Sequence, residues 1–203
     1  MIKNVVFDIG NVLVDFRWRE LMEELHISRQ AQDQFETSVF GSCWWHDLDH
    51  GTIDEKDAVI RLREDNLQYK EAFDLVWEHR AELVRPYDYS VAWIDSLRQQ
   101  GYHVYLLSNY PKDIFTLHAS VGAFPFLDHV DGKIVSGFVK MIKPDADIYE
   151  KLMETYKLKA DECVFIDDRE ENIQGAVNTG MHGIVFQSYE QASDQLKKIL
   201  KSE

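Results

Sequence analysis

The sequence predicts an α/β protein in which a parallel sheet carries an inserted bundle of helices. The chain opens with an apolar run, residues 5–7, of the length of one strand buried on both faces. From residue 86 onward, strand-like and helical patterns alternate, which is typical of a parallel sheet. Between these parts, residues 16–85 have helical apolar spacing, two glycines and no proline.

The charge of the chain argues against two classes of partner. Its 203 residues include 22 basic and 36 acidic ones, a formal net charge of -14. Such a surface repels phosphate backbones and anionic lipid, so we expect neither nucleic acid nor a membrane as a partner. An enzyme of phosphate esters with this charge would need a local cation at its site.

Cysteine usage and hydropathy indicate the compartment. Cys43 and Cys163 are far apart, so no disulfide framework and no Cys-rich metal site is expected. The first ten residues already contain a strand, which leaves no room for a signal peptide, and no apolar run has membrane-spanning length. We therefore expect a cytoplasmic protein. We also expect it to be a monomer or a weak dimer.

The inserted segment divides the chain into two predicted domains. Residues 1–15 and 86–203 would form the sheet domain, and residues 16–85 a bundle of about four helices. Thr52 and Glu55 have the spacing of a capping box, so one of these helices should begin near Asp54.

Residues 41–51 are the most unusual part of the insert because Trp44 and Trp45 are adjacent. Neighbouring helical residues diverge by about 100°, so both rings cannot face one core. We expect the loop of Trp44 and Trp45 to help set substrate specificity, with one ring stacked on a ligand or on the other domain; the alternative is one tryptophan in the bundle core and one half-exposed. The nearby acids and histidines are interpreted as solvated loop residues, because no further ligand pattern follows: His46, Asp47, Asp49 and His50.

The second half of the chain alternates elements in a regular order. Helices are predicted at 91–97, 111–121, 145–156 and 170–180, strands at 103–107, 164–166 and 183–186, and a strand or hairpin at 132–138. Ser188 and Gln191 form a second capping-box pattern, which begins the last helix.

Polar residues follow three of the predicted strands. They are Asp8, Ser108, Asn109, Asp167 and Asp168. Lys143 stands before a proline that introduces a helix. The carboxyl ends of parallel strands share one edge, so we expect these groups to meet there. Singly, each has an ordinary explanation: Asp8 could cap its own turn, Lys143 could be solvated, and Asp167 and Asp168 could cap a helix.

If these groups lie together at the sheet edge, their chemical types indicate which reaction they could catalyse. Three buried carboxylates repel one another, and Mg²⁺ with a few oxygen ligands would relieve the repulsion. One carboxylate could then attack phosphorus and form an aspartyl-phosphate. Lys143 and Mg²⁺ would neutralise the phosphoryl oxygens, while Ser108 and backbone N–H groups hold them in line.

These motifs resemble those of the haloacid dehalogenase-like (HAD) hydrolase superfamily. The order Asp-x-Gly-Asn-Val, strand-Ser-Asn, Lys-Pro and strand-Asp-Asp is similar to its four motifs. The run at 166–176 resembles the group containing epoxide-hydrolase N-terminal phosphatase domains and α-D-glucose-1-phosphate phosphatases. The resemblance implies a Rossmann-like core with a helical cap inserted after the first motif.

The same resemblance implies roles for individual residues. Asp8 matches the nucleophile, Gly10 the residue whose carbonyl binds Mg²⁺, and Asp168 a metal-ligand acid supported by Asp167. Ser108, Asn109 and Lys143 match the phosphate-binding positions. The chain departs from most family phosphatases at Gly10, where they have a second Asp as general acid. We expect Asp15 to replace that acid in part.

The function expected from the sequence is hydrolysis of a small phosphorylated metabolite, most simply a sugar phosphate, by a Mg²⁺-dependent phosphatase. Without the acid at Gly10, substrates with good leaving groups, such as anomeric sugar phosphates, should be favoured. A metal-independent dehalogenase and a non-catalytic phosphate-binding module are the alternatives.

Overall fold

The computed structural model describes residues 1–201, and its centre is a five-stranded sheet. The strands of the sheet are β1 (Asn4–Phe7), β4 (His103–Ser108), β5 (Gly132–Val135), β6 (Cys163–Asp167) and β7 (His182–Val185). Their order is β5-β4-β1-β6-β7, and every neighbouring pair is parallel. The predicted α/β class with a mostly parallel sheet is therefore confirmed.

Both faces of the sheet are buried, and alternate residues of each strand face opposite sides. In β1, Val5 and Phe7 belong to one apolar cluster, whereas Val6 belongs to the other, and all three are fully buried. The first face packs on Trp93 and Leu196, the second on Leu152. Burial on both faces explains why the strands are short continuous apolar runs.

Helices connect and cover the strands. They are α6 (Ser90–Gln99), α7 (Lys112–Ser120), α8 (Ser136–Val139), α9 (Ala146–Tyr156), α10 (Glu170–Asn178) and α11 (Tyr189–Lys201). Residues 132–138, expected as a strand or hairpin, form a strand followed by one helical turn. None of the helices in the described chain has both the length and the apolar character that a membrane crossing requires.

The segment after β1 forms a helical layer with its own apolar cluster. It contains α1 (Trp18–Glu24), α2 (Arg29–Phe35), α3 (Cys43–His50), α4 (Glu55–Asp65) and α5 (Lys70–Glu78) within the described chain, where about four helices were expected. Leu21, Phe35 and Leu62 are buried at the centre of this cluster. The boundaries at residues 15 and 86 stay a proposal.

A two-stranded ribbon joins the helical segment to the rest. β2 (Val14–Phe16) pairs antiparallel with β3 (Val84–Pro86), so the chain enters and leaves the segment at one place.

Residues 43–50, which include the acids and histidines interpreted as solvated loop residues, are helical, and this corrects the sequence interpretation. Ser42 Oγ accepts a hydrogen bond from the Trp45 N–H and caps the start of α3. Gly51 ends the helix with a φ of 76°, in the left-handed region that favours glycine.

Candidate active site

The register of the sheet brings two of the predicted acids side by side. Phe7 of β1 lies opposite Leu106 of β4 and Ile166 of β6. The residues that follow, Asp8 and Asp167, therefore emerge at the same sheet edge.

Lys143 is enclosed among these strand ends and has all three of its N–H donors occupied. Its Nζ donates to Asp8 Oδ1 at 2.8 Å, to Asp167 Oδ2 at 2.6 Å and to the Leu107 carbonyl at 3.0 Å. The side chain is 1% exposed. The alternative of a solvated lysine at a helix start is therefore wrong.

Asn109 holds the backbone of Lys143 in place. Its Nδ2 donates to the Lys143 carbonyl, and its Oδ1 accepts from the Lys143 N–H, both at 2.9 Å. This double contact engages both polar atoms of the Asn109 amide and holds the Lys143 backbone in one position. A phosphate-binding role for Asn109 stays a prediction.

Asp167 is bonded on both of its oxygens. Oδ1 accepts from the Arg169 N–H at 2.8 Å and from Asn172 Nδ2 at 3.0 Å, while Oδ2 accepts from Lys143 and, at 3.1 Å, from the same Asn172 nitrogen. A carboxylate so fully engaged is better placed to orient Lys143 than to bind a metal directly.

Asp168 is the less enclosed member of the acidic pair. Asn11, in the left-handed region with a φ of 54°, donates from Nδ2 to Asp168 Oδ2 at 3.0 Å. Asp168 lines the same cavity as Gly10 and Asp8.

The three acids form a site for a divalent cation. One oxygen each of Asp8, Asp167 and Asp168 lies within 4.8 Å of the other two. Asn172 adds a buried Oδ1 that accepts no hydrogen bond from the described part of the chain. Carboxylate and amide oxygens with an excess of negative charge are the donor set of a hard cation such as Mg²⁺.

The pKa shifts of the site residues are consistent with an excess of negative charge. Burial raises the pKa of Asp8 to about 7, and the neighbouring Asp167 and Asp168 add to the shift while Lys143 opposes it. Burial also raises the pKa of Asp168, against the hydrogen bond from Asn11. For Lys143, burial lowers the pKa, but Asp167 and Asp8 outweigh it and the net shift is upward, so the ammonium stays charged.

Asp8 and Asp168 lie at the floor of a cavity of about 190 Å³ between the sheet edge and the helical segment, and Asp167 is buried beside them. Its polar floor includes Asp8, Lys143 and Asp168. Its upper wall is largely apolar and comes from both parts of the chain: Phe16, Trp45, Leu83, Val84, Tyr110, Pro111 and Ile114. The cavity can therefore take a small anion at its base and an organic group above it.

The structure does not bring every predicted residue to this cavity. Trp45 lines it, but Trp44 does not: its half-buried ring packs against the apolar cluster of the helical segment, and its Nε1 donates to Asp65 Oδ2 at 2.8 Å. Asp15 pairs with Arg85 on the ribbon and is not among the lining residues. Ser108, at the end of β4, is 1% exposed and is not among the lining residues.

Asn172, His118 and Asp49 line the cavity, but the sequence did not assign them to the site. Asn172 was only part of a quoted motif, and its spacing from Asp167 on the first turn of α10 was the available signal. His118 is buried and bridges Tyr110 Oη, at 2.6 Å, and the Arg80 carbonyl, at 2.7 Å. Asp49 was interpreted as a solvated loop residue, and nothing local distinguishes it.

Comparison with known proteins defines the class. The sequence pattern of the haloacid dehalogenase-like hydrolase family matches residues 2–180. The chain therefore belongs to this family of hydrolases, as its four motifs predicted.

Two individual proteins are similar to this chain in sequence. The sesquiterpene phosphatase astK of Aspergillus oryzae is 26% identical over 182 residues, which cover 90% of this chain and 88% of that protein. Mouse bifunctional epoxide hydrolase 2 is 39% identical over 71 residues, 35% of this chain and 13% of that one.

A solved structure supports the fold. The HAD family enzyme bt-2542 of Bacteroides thetaiotaomicron, in complex with magnesium and inorganic phosphate, has a TM-score of 0.73 and 24% identity, covering 96% of this chain and 99% of that one. At this identity the likeness shows the fold alone.

Proposed function

We propose that this hydrolase is a Mg²⁺-dependent phosphatase that cleaves monoesters of a small phosphorylated metabolite through an aspartyl-phosphate on Asp8. The observation that carries the proposal is the Asp8 carboxylate at the cavity floor, held at 2.8 Å by the buried Lys143. An oriented carboxylate beside a fixed cation is the arrangement that phosphoryl transfer to an aspartate requires.

In the first step, the Asp8 oxygen that Lys143 does not hold bonds to phosphorus as the ester P–O bond breaks. Lys143 offsets the charge on the phosphoryl oxygens, and Ser108 at the end of β4 would help to hold them. In the second step, water attacks phosphorus, inorganic phosphate leaves and Asp8 is restored.

Asp8, Asp168 and the Gly10 carbonyl would hold Mg²⁺, with Asp167 and Asn172 as supports. When bound, the ion supplies positive charge at the phosphoryl group and relieves the repulsion among the acids. Relatives named as phosphatases support this assignment over a dehalogenase.

The test is steady-state hydrolysis of p-nitrophenyl phosphate. We expect turnover that needs Mg²⁺, is stopped by EDTA, and is lost in Asp8→Asn but retained in the exposed control Asp161→Asn. Halide release from a 2-haloacid in the presence of EDTA would instead identify a dehalogenase, and no turnover of any ester would identify a binding module.

Two classes of substrate are proposed. A sugar phosphate fits the size of the cavity, and hydrolysis of sugar 1-phosphates should exceed that of glycerol phosphates. The apolar upper wall, with Phe16, Trp45 and Ile114, favours a second class, monophosphates of apolar alcohols. The Aspergillus relative named as a sesquiterpene phosphatase is consistent with this class. A panel that includes sugar 1-phosphates, glycerol phosphates and an isoprenyl monophosphate separates the two classes by kcat/KM.

A further inference from the structure

Cleavage of an alkyl phosphate needs a proton donor, because an alkoxide is a poor leaving group at neutral pH. The three acids at the strand ends are poorly suited to this task. Asp8 is the nucleophile, Asp167 is saturated by four hydrogen bonds, and Asp168 faces the cation site. A donor should come from the opposite wall, where the leaving group lies.

Among the acids of the described residues that line the cavity, Asp49 alone comes from the helical segment. It is on the last turn of α3, in the helical segment, and lines the same cavity as Asp8. It takes part in none of the hydrogen bonds that tie the floor acids together, so its carboxyl group is available to a substrate.

The backbone around Asp49 is docked on the sheet domain. Its carbonyl accepts from Ser136 Oγ, which in turn accepts from the Tyr110 N–H at 2.8 Å. The next residue, His50, places its Nε2 3.1 Å from the Lys140 carbonyl. These contacts fix the end of α3 over the floor across about 90 residues of chain.

The environment of Asp49 favours the protonated form. Burial raises its pKa to about 7, and Arg169 and Lys143 oppose the shift while Asp8 adds to it. Those three, from the loop before α10, the loop before α9 and the end of β1, are the charged groups that act on it, and the neighbouring Tyr110 stays a neutral phenol because burial raises its pKa. A carboxylic acid that titrates near neutrality is suited to general acid and base work.

We propose that Asp49 is the general acid and base of the reaction, a role that rests on the proposed phosphatase function. As Asp8 bonds to phosphorus and the ester bond breaks, the Asp49 carboxyl proton passes to the leaving oxygen. The Asp49 carboxylate then takes a proton from the water that attacks phosphorus, and the Asp8–phosphorus bond breaks. Both residues return to their starting states, and the products are the alcohol and inorganic phosphate.

The test compares Asp49→Asn on esters with good and poor leaving groups. For an alkyl phosphate we expect kcat to fall by about 10²–10⁴. For p-nitrophenyl phosphate, whose leaving group needs no proton, we expect a rapid burst of nitrophenol of about one per enzyme, followed by slow turnover. Asp47→Asn, on the same helix but facing solvent, is the matched control and should retain wild-type rates on both esters.

Each other outcome decides against the proposal. If Asp49→Asn lowered the rate on the alkyl phosphate and the nitrophenol burst equally, Asp49 would have a structural role. If it changed neither, Asp49 would have no role in the reaction. A leaving-group-dependent loss in Asp15→Asn instead would assign the acid to Asp15. If Asp49→Asn fails to fold, Asp49→Glu keeps the acid and should retain more alkyl phosphatase activity than Asp49→Ser; equal rates would overturn the proposal.

Failure of the proposed function is a separate result. It would appear as wild-type protein without turnover of any ester, or as a burst that survives Asp8→Asn. A wild-type enzyme that is active, with no selective effect at Asp49, overturns only the role of Asp49.

Discussion

Lys143 shows how one buried residue balances the charge of the whole site. Its ammonium contacts two carboxylates and a carbonyl, and Asn109 fixes its backbone from both sides. Replacing either acid or the lysine alone would leave an uncompensated buried charge, which costs more than the intact pair contributes.

The first prediction concerns this charge balance. Lys143→Met should lower the free energy of unfolding, without Mg²⁺, by about 3–5 kcal/mol, because Asp8 and Asp167 lose their buried partner. Urea denaturation measures the change.

The control is Lys3→Met, which removes a largely exposed lysine paired with Glu162 at 2.7 Å. An exposed pair contributes about 1 kcal/mol or less. Similar losses in the two variants would contradict the view that Lys143 is an essential buried counter-ion.

At the scale of elements, the end of α3 is decisive because it joins the helical segment to the sheet domain. Gly51 lies against α8, and a Cβ added there would be 2.7 Å from the Gly137 carbonyl oxygen. Its position is therefore restricted both by its positive φ and by this close approach.

The second prediction separates these two restrictions. Gly51→Ala should be more destabilising than Gly101→Ala. Both sites have positive φ values, 76° and 92°, but Gly101 has open space around it. The left-handed conformation should cost each variant about 1–2 kcal/mol.

Only Gly51→Ala should also lose alkyl phosphatase activity, because the clash displaces Asp49. Thermal unfolding and initial rates measure the two effects. Equal stability and equal rates in the two variants would show that the contact with Gly137 is unimportant.

Local sequence patterns predicted some of the capping interactions at helix ends correctly and others not. At Ser188, the capping box forms: Oγ accepts from the Gln191 N–H at 3.2 Å, and the Gln191 side chain accepts from the Gln187 N–H at 3.0 Å. At Thr52 it does not, since Oγ1 donates to the Asp47 carbonyl and α4 begins after Asp54. Ser42 caps the start of α3 and Gly51 ends it, but no helix was predicted there because the segment between them lacks the apolar period of a helix.

At the scale of the whole molecule, the sheet domain and the helical segment together enclose a cavity with an acidic floor. The floor comes from the sheet edge, and part of the wall comes from the helical segment. Because the floor holds an excess of negative charge, binding of a cation should stabilise the entire fold.

The third prediction is a metal-dependent stability. At a Mg²⁺ concentration 100 times the dissociation constant, binding contributes about 2.7 kcal/mol, which corresponds to a rise in Tm of roughly 5–10 °C for a chain of this size. Asp168→Asn should reduce the rise, whereas the exposed Asp161→Asn should retain it. Scanning calorimetry with and without Mg²⁺ measures this, and equal shifts in both variants would remove Asp168 from the metal site.

The sequence by itself determined the strands, their parallel arrangement and the floor of the site. These are local properties: an apolar run marks a buried strand, and the residue after it must emerge at the sheet edge, as Asp8 and Asp167 do. The order of the four motifs sufficed to predict the family.

Tertiary structure alone decided which groups face the cavity and which partners they have. Asp167 is saturated while Asp168 is open, Trp45 lines the cavity while Trp44 does not, and Asp49 reaches the site from a distant helix. The physical reason is that side-chain direction and burial depend on packing between elements far apart in the chain, such as α3 against α8, and no local pattern encodes that contact.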